Sequence, residues 1–224
     1  MIVLQADQIS FRYPSGPLLV ENARLHVQAG ECVAVTGPSG SGKSTLLHIL
    51  SGIIPRSIQG EVSGEILLCG DNLSQLSLAE TVRRVGVVFQ DPEAQIFFPT
   101  VEGEIAFGLE NLCLPEGDME RLISSSLEAV GMAEYRYRAV KDLSQGQKQL
   151  IALAAVLAME PRLLILDEVF ASLDESGTQV VQKVIEDYKH SGRAVLLVEH
   201  DPEQFSVVDR LYHLAGGRLR EVVQ

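Results

Sequence analysis

The spacing of apolar and polar residues changes along the chain, and each spacing predicts a different kind of element. Residues 2–11 (IVLQADQISF) and 20–27 (VENARLHV) alternate loosely around the turn-rich RYPSGP, which predicts half-buried strands. Residues 31–37 (ECVAVTG), 163–168 (LLILDE) and 193–200 (RAVLLVEH) are instead continuous apolar runs, the pattern of strands buried on both faces. GEILLCG (64–70) and RVGVVF (84–89) predict further strands. Residues 101–130 read as mainly helical, with interruptions at Pro115 and Gly117. SQGQKQLIALAAVLAME (144–160) reads as a strong helix stopped by Pro161, and ESGTQVVQKVIEDYKH (175–190) as another.

Strand-helix-strand alternation in the last third predicts parallel pairing with crossover helices, while the front is more antiparallel. Residues 91–160 carry no clear strand and should form a helical insertion. The expectation is a single α/β domain over 1–224. A mixed-sheet core spans about 1–90 and 161–224, and a helical subdomain about 91–160.

Composition narrows what this domain can do. A net charge of -12 disfavours unscreened binding to nucleic-acid phosphates, so no nucleic-acid partner is expected. Cys32, Cys69 and Cys113 lack CxxC spacing, which argues against a disulfide framework or zinc site and fits a reducing cytosol. MIVLQADQISF shows no basic stretch followed by an apolar one, so no signal peptide is expected. The longest apolar run, LIALAAVLAM (150–159), is too short to span a bilayer. Any membrane role is therefore expected to run through a partner.

One stretch carries explicit chemistry. Gly37-Pro38-Ser39-Gly40-Ser41-Gly42-Lys43-Ser44 matches G-x-x-x-x-G-K-[ST], between a buried strand and an apolar helix that continues through Thr45. Glycines let backbone N–H groups curl around phosphate oxygens, and the helix N-terminus adds positive potential. Lys43 would reach the β- and γ-phosphates, and Ser44 would ligate Mg²⁺. A glycine-rich turn with a chance lysine is the bland alternative, and the strand and helix on either side argue against it. The 163–168 strand supplies the complement: Asp167 for the Mg²⁺ shell and Glu168 as general base for an attacking water. Ser144 and Gln147 in LSQGQ have the S-x-x-Q spacing of a capping box, which by itself means only a well-started helix.

Together these motifs resemble the ABC-type ATPases over nearly the whole chain. The resemblance implies a P-loop NTPase fold, ATP and Mg²⁺ as ligands, and a dimer in which the signature of one subunit closes over ATP held by the other. It implies that Ser144, Gly146 and Gln147 face the partner's nucleotide. Tyr13 matches the aromatic that stacks on adenine, although a lone tyrosine after a strand is more often a packing residue. Gln90 matches the glutamine linking the metal and attacking water to the membrane partner. Asp174 matches the acid that crosses the dimer interface, and His200 the histidine that contacts the γ-phosphate. Three departures stand out: Gln145 replaces the usual glycine, Leu150 stands where arginine is common, and Val169-Phe170 replaces Pro-Thr. None removes a catalytic group, and a heterodimer with one strong and one weak site would be compatible with them.

FQDPEAQIFFPTVEGEIAFGLENL (89–112) and GIIPRSIQGEVSGEILLCGDNL (52–73) are similar to the ATPases of energy-coupling factor transporters, importers of vitamins and transition-metal ions. That resemblance implies a second ATPase subunit, as homo- or heterodimer. It also implies a transmembrane scaffold subunit, a separate membrane component that selects the substrate, and a place on the cytoplasmic face of the cell membrane. Phe97 and Phe98 either pack the helical lobe or line a partner groove. Another ABC importer or exporter is the nearest alternative. A non-transport ABC protein is disfavoured by acidity and by the short span from Gln90 to Ser144. A module that binds ATP without turnover is disfavoured by Glu168 and His200.

Overall fold

The structure is a computed structural model that describes residues 1–199 and 206–222. Two long strands, β1 (Ile2–Arg12) and β2 (Leu18–Gln28), open the chain. Next, β3 (Cys32–Thr36) runs into the glycine loop, and α1 (Lys43–Leu50) leaves it. A single turn α2 (Ile53–Arg56), strands β4 (Glu61–Leu68) and β5 (Asp71–Asn72), the short α3 (Leu78–Val82) and β6 (Val85–Val88) follow. The middle holds α4 (Val101–Asn111), α5 (Glu116–Ala129) and α6 (Gln145–Ala158). The chain then forms β7 (Leu163–Asp167), α7 (Glu175–His190), β8 (Ala194–Val198) and a hairpin of β9 (Arg210–Ala215) and β10 (Arg218–Val222).

Among the described residues the strands form two sheets, a four-stranded β2-β1-β4-β5 sheet with antiparallel pairing and a six-stranded β10-β9-β3-β8-β7-β6 sheet. In the larger sheet β9, β3, β8, β7 and β6 are parallel, and β10 is antiparallel to β9. The continuous apolar runs have a direct cause. Leu164 and Leu166 of β7 join one core with α4–α7, while Leu163 and Ile165 join a second core with α1 and the antiparallel sheet. Strands β3 and β8 divide their residues in the same way, so both faces must be apolar. Each fully buried leucine or valine contributes about 2 kcal/mol.

Several boundaries differ from expectation for physical reasons. The strand ending in LLILDE stops at Asp167, because Glu168 adopts a left-handed conformation (φ 48°) that no strand continues. Pro115 separates α4 from α5, but Gly117 lies inside the first turn of α5 and interrupts nothing. Glu116 and Asp118 in that turn favour the helix N-terminus and offset the weak propensity of glycine. The apolar-polar pattern does not predict the β9–β10 hairpin. Its signal was Gly216-Gly217 at a turn, both at positive φ, but the flanking runs are punctuated by arginines.

Candidate functional site

The parallel strands end at one edge of the sheet, and the predicted chemistry collects there. Gly37, Gly40 and Gly42 all take positive φ, so the loop curls where other residues would strain. Gly37 is also pressed by its surroundings: a Cβ there would lie 2.1 Å from the Leu214 carbonyl oxygen of β9. A Cβ on Gly40 would meet nothing within 4 Å, so that side of the loop is open. Lys43 is 5% exposed, and its Nζ donates to the carbonyls of Gly37 (3.1 Å) and Pro38 (3.3 Å). The same ammonium lies 3.7 Å from Glu168 Oε1. In the first turn of α1, Ser44 Oγ donates to Asp167 Oδ1 at 3.4 Å. Residues 123 positions apart are thus brought together by the adjacency of β3, β8 and β7.

This donor set fits a nucleoside triphosphate with a divalent cation. Ser44 and Asp167 present hard oxygens at one point, and magnesium takes one or two such groups while completing its shell with water and phosphate oxygens. The Ser41 hydroxyl sits buried in the loop with no hydrogen-bond partner among the described residues, which leaves it free to meet a phosphate oxygen. Pro38 and Ser39 form the exposed rim of the loop.

Of the other predicted residues that the structure describes, Tyr13 contacts the start of α1 and Gln90 follows β6, whereas Ser144, Gly146, Gln147 and Asp174 sit at the starts of α6 and α7. Val88, the last residue of β6, pairs with Leu166, one residue before the end of β7, and Gln90 follows two residues after Val88. Tyr13 is 38% exposed; its hydroxyl bonds Thr45 Oγ1 at 3.2 Å and its ring meets Phe11 edge-on at 4.8 Å. That fixes an aromatic face beside the loop. Ser144 and Gln147 form the full capping box: Gln147 N–H donates to Ser144 Oγ (3.2 Å), and Ser144 N–H to Gln147 Oε1 (3.0 Å). Gly146 is required by contact, since a Cβ would lie 3.0 Å from the Ser172 carbonyl oxygen. Asp174 caps α7 by accepting from Gly177 N–H (2.8 Å), and that bond holds its carboxyl below the usual carboxylate range. Among the described residues no hydrogen bond or ion pair joins Ser144, Gly146, Gln147 or Asp174 to the phosphate loop of the same chain. His200 lies outside the described residues.

The sequence profile of the ABC transporter family matches residues 20–171, the span from β2 to just beyond Glu168. The chain belongs to that family. It is an ABC-type ATPase, and its nucleotide is ATP. It is 35% identical over 218 residues to the energy-coupling factor transporter ATP-binding protein EcfA of Methanosarcina acetivorans, covering 97% of this chain and 78% of that protein. The EcfA of Methanocaldococcus jannaschii is 36% identical over 222 residues, covering 98% and 78%. The solved structure of cbiO1 from Clostridium perfringens, part of the ABC transporter complex cbiONQ, superposes with a TM-score of 0.85 at 29% identity, covering 98% of this chain and 87% of that one. Among the described residues no helix is long and apolar enough to cross a membrane.

The two phenylalanines of this ABC ATPase have different surroundings. Phe97 is 76% exposed, whereas Phe98 is half-buried against Phe107, with ring centroids 5.0 Å apart. Ile96, Phe97, Phe98, Pro99 and Val140 line an apolar groove of about 600 Å³, with Glu93 and Lys148 at its side. Glu104, 7% exposed on α4, accepts from the N–H groups of both Phe97 (2.9 Å) and Phe98 (2.8 Å), so a buried carboxylate sets the loop.

Sequence reasoning missed four residues that shape the site: Glu104, Gln95, Gln149 and Glu199. The Gln95 amide clamps the end of β6, accepting from Phe89 N–H and donating to the Val87 carbonyl, both at 2.9 Å. Gln149 Nε2 donates to the Phe89 carbonyl at 3.0 Å. Glu199 is 7% exposed and accepts from Phe170 N–H at 3.4 Å, beside Glu168. For Gln149 a signal existed: it lies four residues before Leu153 on the buried stripe of α6, a polar residue where an apolar one would pack.

Proposed function

We propose that this chain is the ATP-hydrolysing subunit of a membrane importer of the energy-coupling factor type, taking up a vitamin, a vitamin precursor or a transition-metal ion. Two relatives named as such subunits cover nearly all of it, which supports the reading. The observation that carries the chemistry is Ser44 Oγ on Asp167, with Lys43 Nζ 3.7 Å from Glu168, at the mouth of a loop open at Gly40.

In this reading residues 1–224 are one ABC ATPase domain, with a nucleotide-binding core (about 1–90 and 161–224) and a helical subdomain (about 91–160). The loop N–H groups of residues 37–45 bind the phosphates, and the Tyr13 face takes adenine. Lys43 leaves the Gly37 and Pro38 carbonyls for the β- and γ-phosphate oxygens. Ser44, Asp167 and Gln90 would hold Mg²⁺, which when bound would supply positive charge to offset that of the phosphates. Glu168 orients water and takes its proton as the γ-phosphate transfers in line. Ser144, Gly146 and Gln147 complete the site from a second ATPase subunit, Asp174 faces that subunit, and His200 contacts the γ-phosphate. The subunit sits on the cytoplasmic face of the membrane, where the Phe97 groove receives a transmembrane scaffold subunit that also carries a substrate-binding component.

Phosphate release and membrane association test the two halves separately. Glu168→Gln lowers phosphate release by about 10²–10⁴-fold while keeping ATP-dependent dimers; a wild-type rate removes Glu168 as base. Purification from detergent-solubilised membranes brings down membrane proteins identifiable by mass. Recovery of the chain alone from such membranes overturns the transporter assignment and leaves the ATPase.

A further inference from the structure

We propose that Gln149 is a positioning residue that locks the segment entering Gln90 to the first turns of α6, so that Gln90, at this chain's own nucleotide, and the start of α6, which faces the second subunit's nucleotide, move as one body. The link to transport rests on the function proposed above; the link between the two segments does not.

Phe89 immediately precedes Gln90, and both of its backbone polar groups are taken by side chains. Its N–H donates to Gln95 Oε1 at 2.9 Å, and its carbonyl accepts from Gln149 Nε2 at 3.0 Å. Gln149 is on α6, five residues past Ser144, and is 1% exposed. The bond therefore runs from the helix that begins with Ser144 and Gly146 to the residue that sets Gln90. A second tether runs parallel to it: Lys148, the neighbour of Gln149, pairs with Glu93 in the same post-Gln90 loop. Lys148 and Glu93 also flank the groove that exposes Phe97. Groove, Gln90 segment and signature helix are thus joined by two side chains from one helical turn.

The other half of the Gln149 amide distinguishes positioning from packing. Gln149 Oε1 is buried without a hydrogen-bond partner among the described residues. Turning the amide over would set that oxygen against the Phe89 carbonyl, acceptor against acceptor, so the donor must point as it does. A buried acceptor left unsatisfied destabilises the fold; an apolar residue of similar volume would remove it at the expense of the donor to the Phe89 carbonyl. Leu153 and Val156 fill the next positions of the same stripe with apolar side chains. A glutamine at this position leaves one acceptor unmet and gains a link to Phe89.

The test is Gln149→Leu in the full chain, with Gln149→Met as a second variant that keeps the side-chain length without the amide. Thermal unfolding should change little, because each variant removes one unmet acceptor, Gln149 Oε1, and leaves another, the Phe89 carbonyl. The kcat for ATP should fall about five-fold, the size of one hydrogen bond, with KM within about two-fold. Hydrogen exchange over residues 87–95 should no longer slow when ATP and Mg²⁺ are added, while exchange over the first turn of α6 still slows. Both variants unfolding earlier, with wild-type kcat and joint protection of the two segments, would make Gln149 a structural residue and overturn the proposal. Wild-type behaviour in all three measurements overturns it equally. If the chain associates with no membrane protein, the transporter reading fails, yet the exchange measurement on the isolated chain still decides the role of Gln149.

Discussion

The phosphate loop and the 89–100 segment are both short connections leaving the end of a parallel strand, and they are held in opposite ways. The loop is shaped mainly by its own backbone. Three glycines take positive φ, Lys43 bonds two loop carbonyls, and the outside pressure falls on Gly37 from the Leu214 carbonyl. The 89–100 segment is shaped by side chains borrowed from elsewhere: Gln149 on Phe89, Glu104 on Phe97 and Phe98, Lys148 on Glu93. A self-shaped loop holds reacting groups in place. A segment held at separate points by one helical lobe can carry displacement from a partner to that lobe.

The largest expected effect tests the self-shaped side. Gly37→Ala introduces a Cβ at 2.1 Å from a backbone oxygen and at φ 151°, where neither can yield cheaply. It should cost about 4 kcal/mol and abolish ATP binding, read by thermal unfolding and nucleotide titration; normal binding would mean the loop is less constrained than its contacts imply. Glu104→Ala tests the borrowed side. It strips two charge-assisted bonds from the Phe97-Phe98 backbone and should cost about 2–3 kcal/mol, with faster hydrogen exchange confined to the groove. Uniformly faster exchange would instead make Glu104 a global core residue.

A smaller effect separates the two phenylalanines. Phe98→Ser should cost about 1–2 kcal/mol through its contact with Phe107. Phe97→Ser should leave stability within about 0.5 kcal/mol yet weaken assembly with the membrane subunit, measured by co-purification. Equal losses of stability would place both in the core. The smallest effect concerns a ring contact between the two regions: His48 of α1 meets Phe89 edge-on at 5.9 Å. Burial holds the His48 imidazole below its ordinary pKa of 6.5. The unfolded chain therefore takes up this proton first as pH falls below about 6.5, and stability is lost from there down through the depressed folded value. His48→Leu should flatten that part of the unfolding-temperature profile between pH 7 and pH 5; an unchanged slope would remove His48 as its source.

The sequence by itself determined the features that depend on near neighbours. The curled glycine loop before α1 was legible because its glycines and Lys43 act within eight residues. So were α7, whose periodicity matched Glu175–His190, and the capping box of Ser144 and Gln147, a bond across three positions. The apolar runs announced strands buried on both faces, because each must feed two cores. Tertiary structure decided what depends on distant partners. Gln149 meets Phe89 across 60 positions, Ser44 meets Asp167 across 123, and Leu214 presses on Gly37 only because β9 pairs with β3. It also decided which phenylalanine faces outward and that Glu168 leaves its strand in a left-handed turn. The physical reason is the same in each case. A backbone conformation or cap is chosen by residues a turn away, whereas burial and long-range hydrogen bonds are chosen by whatever the chain brings alongside.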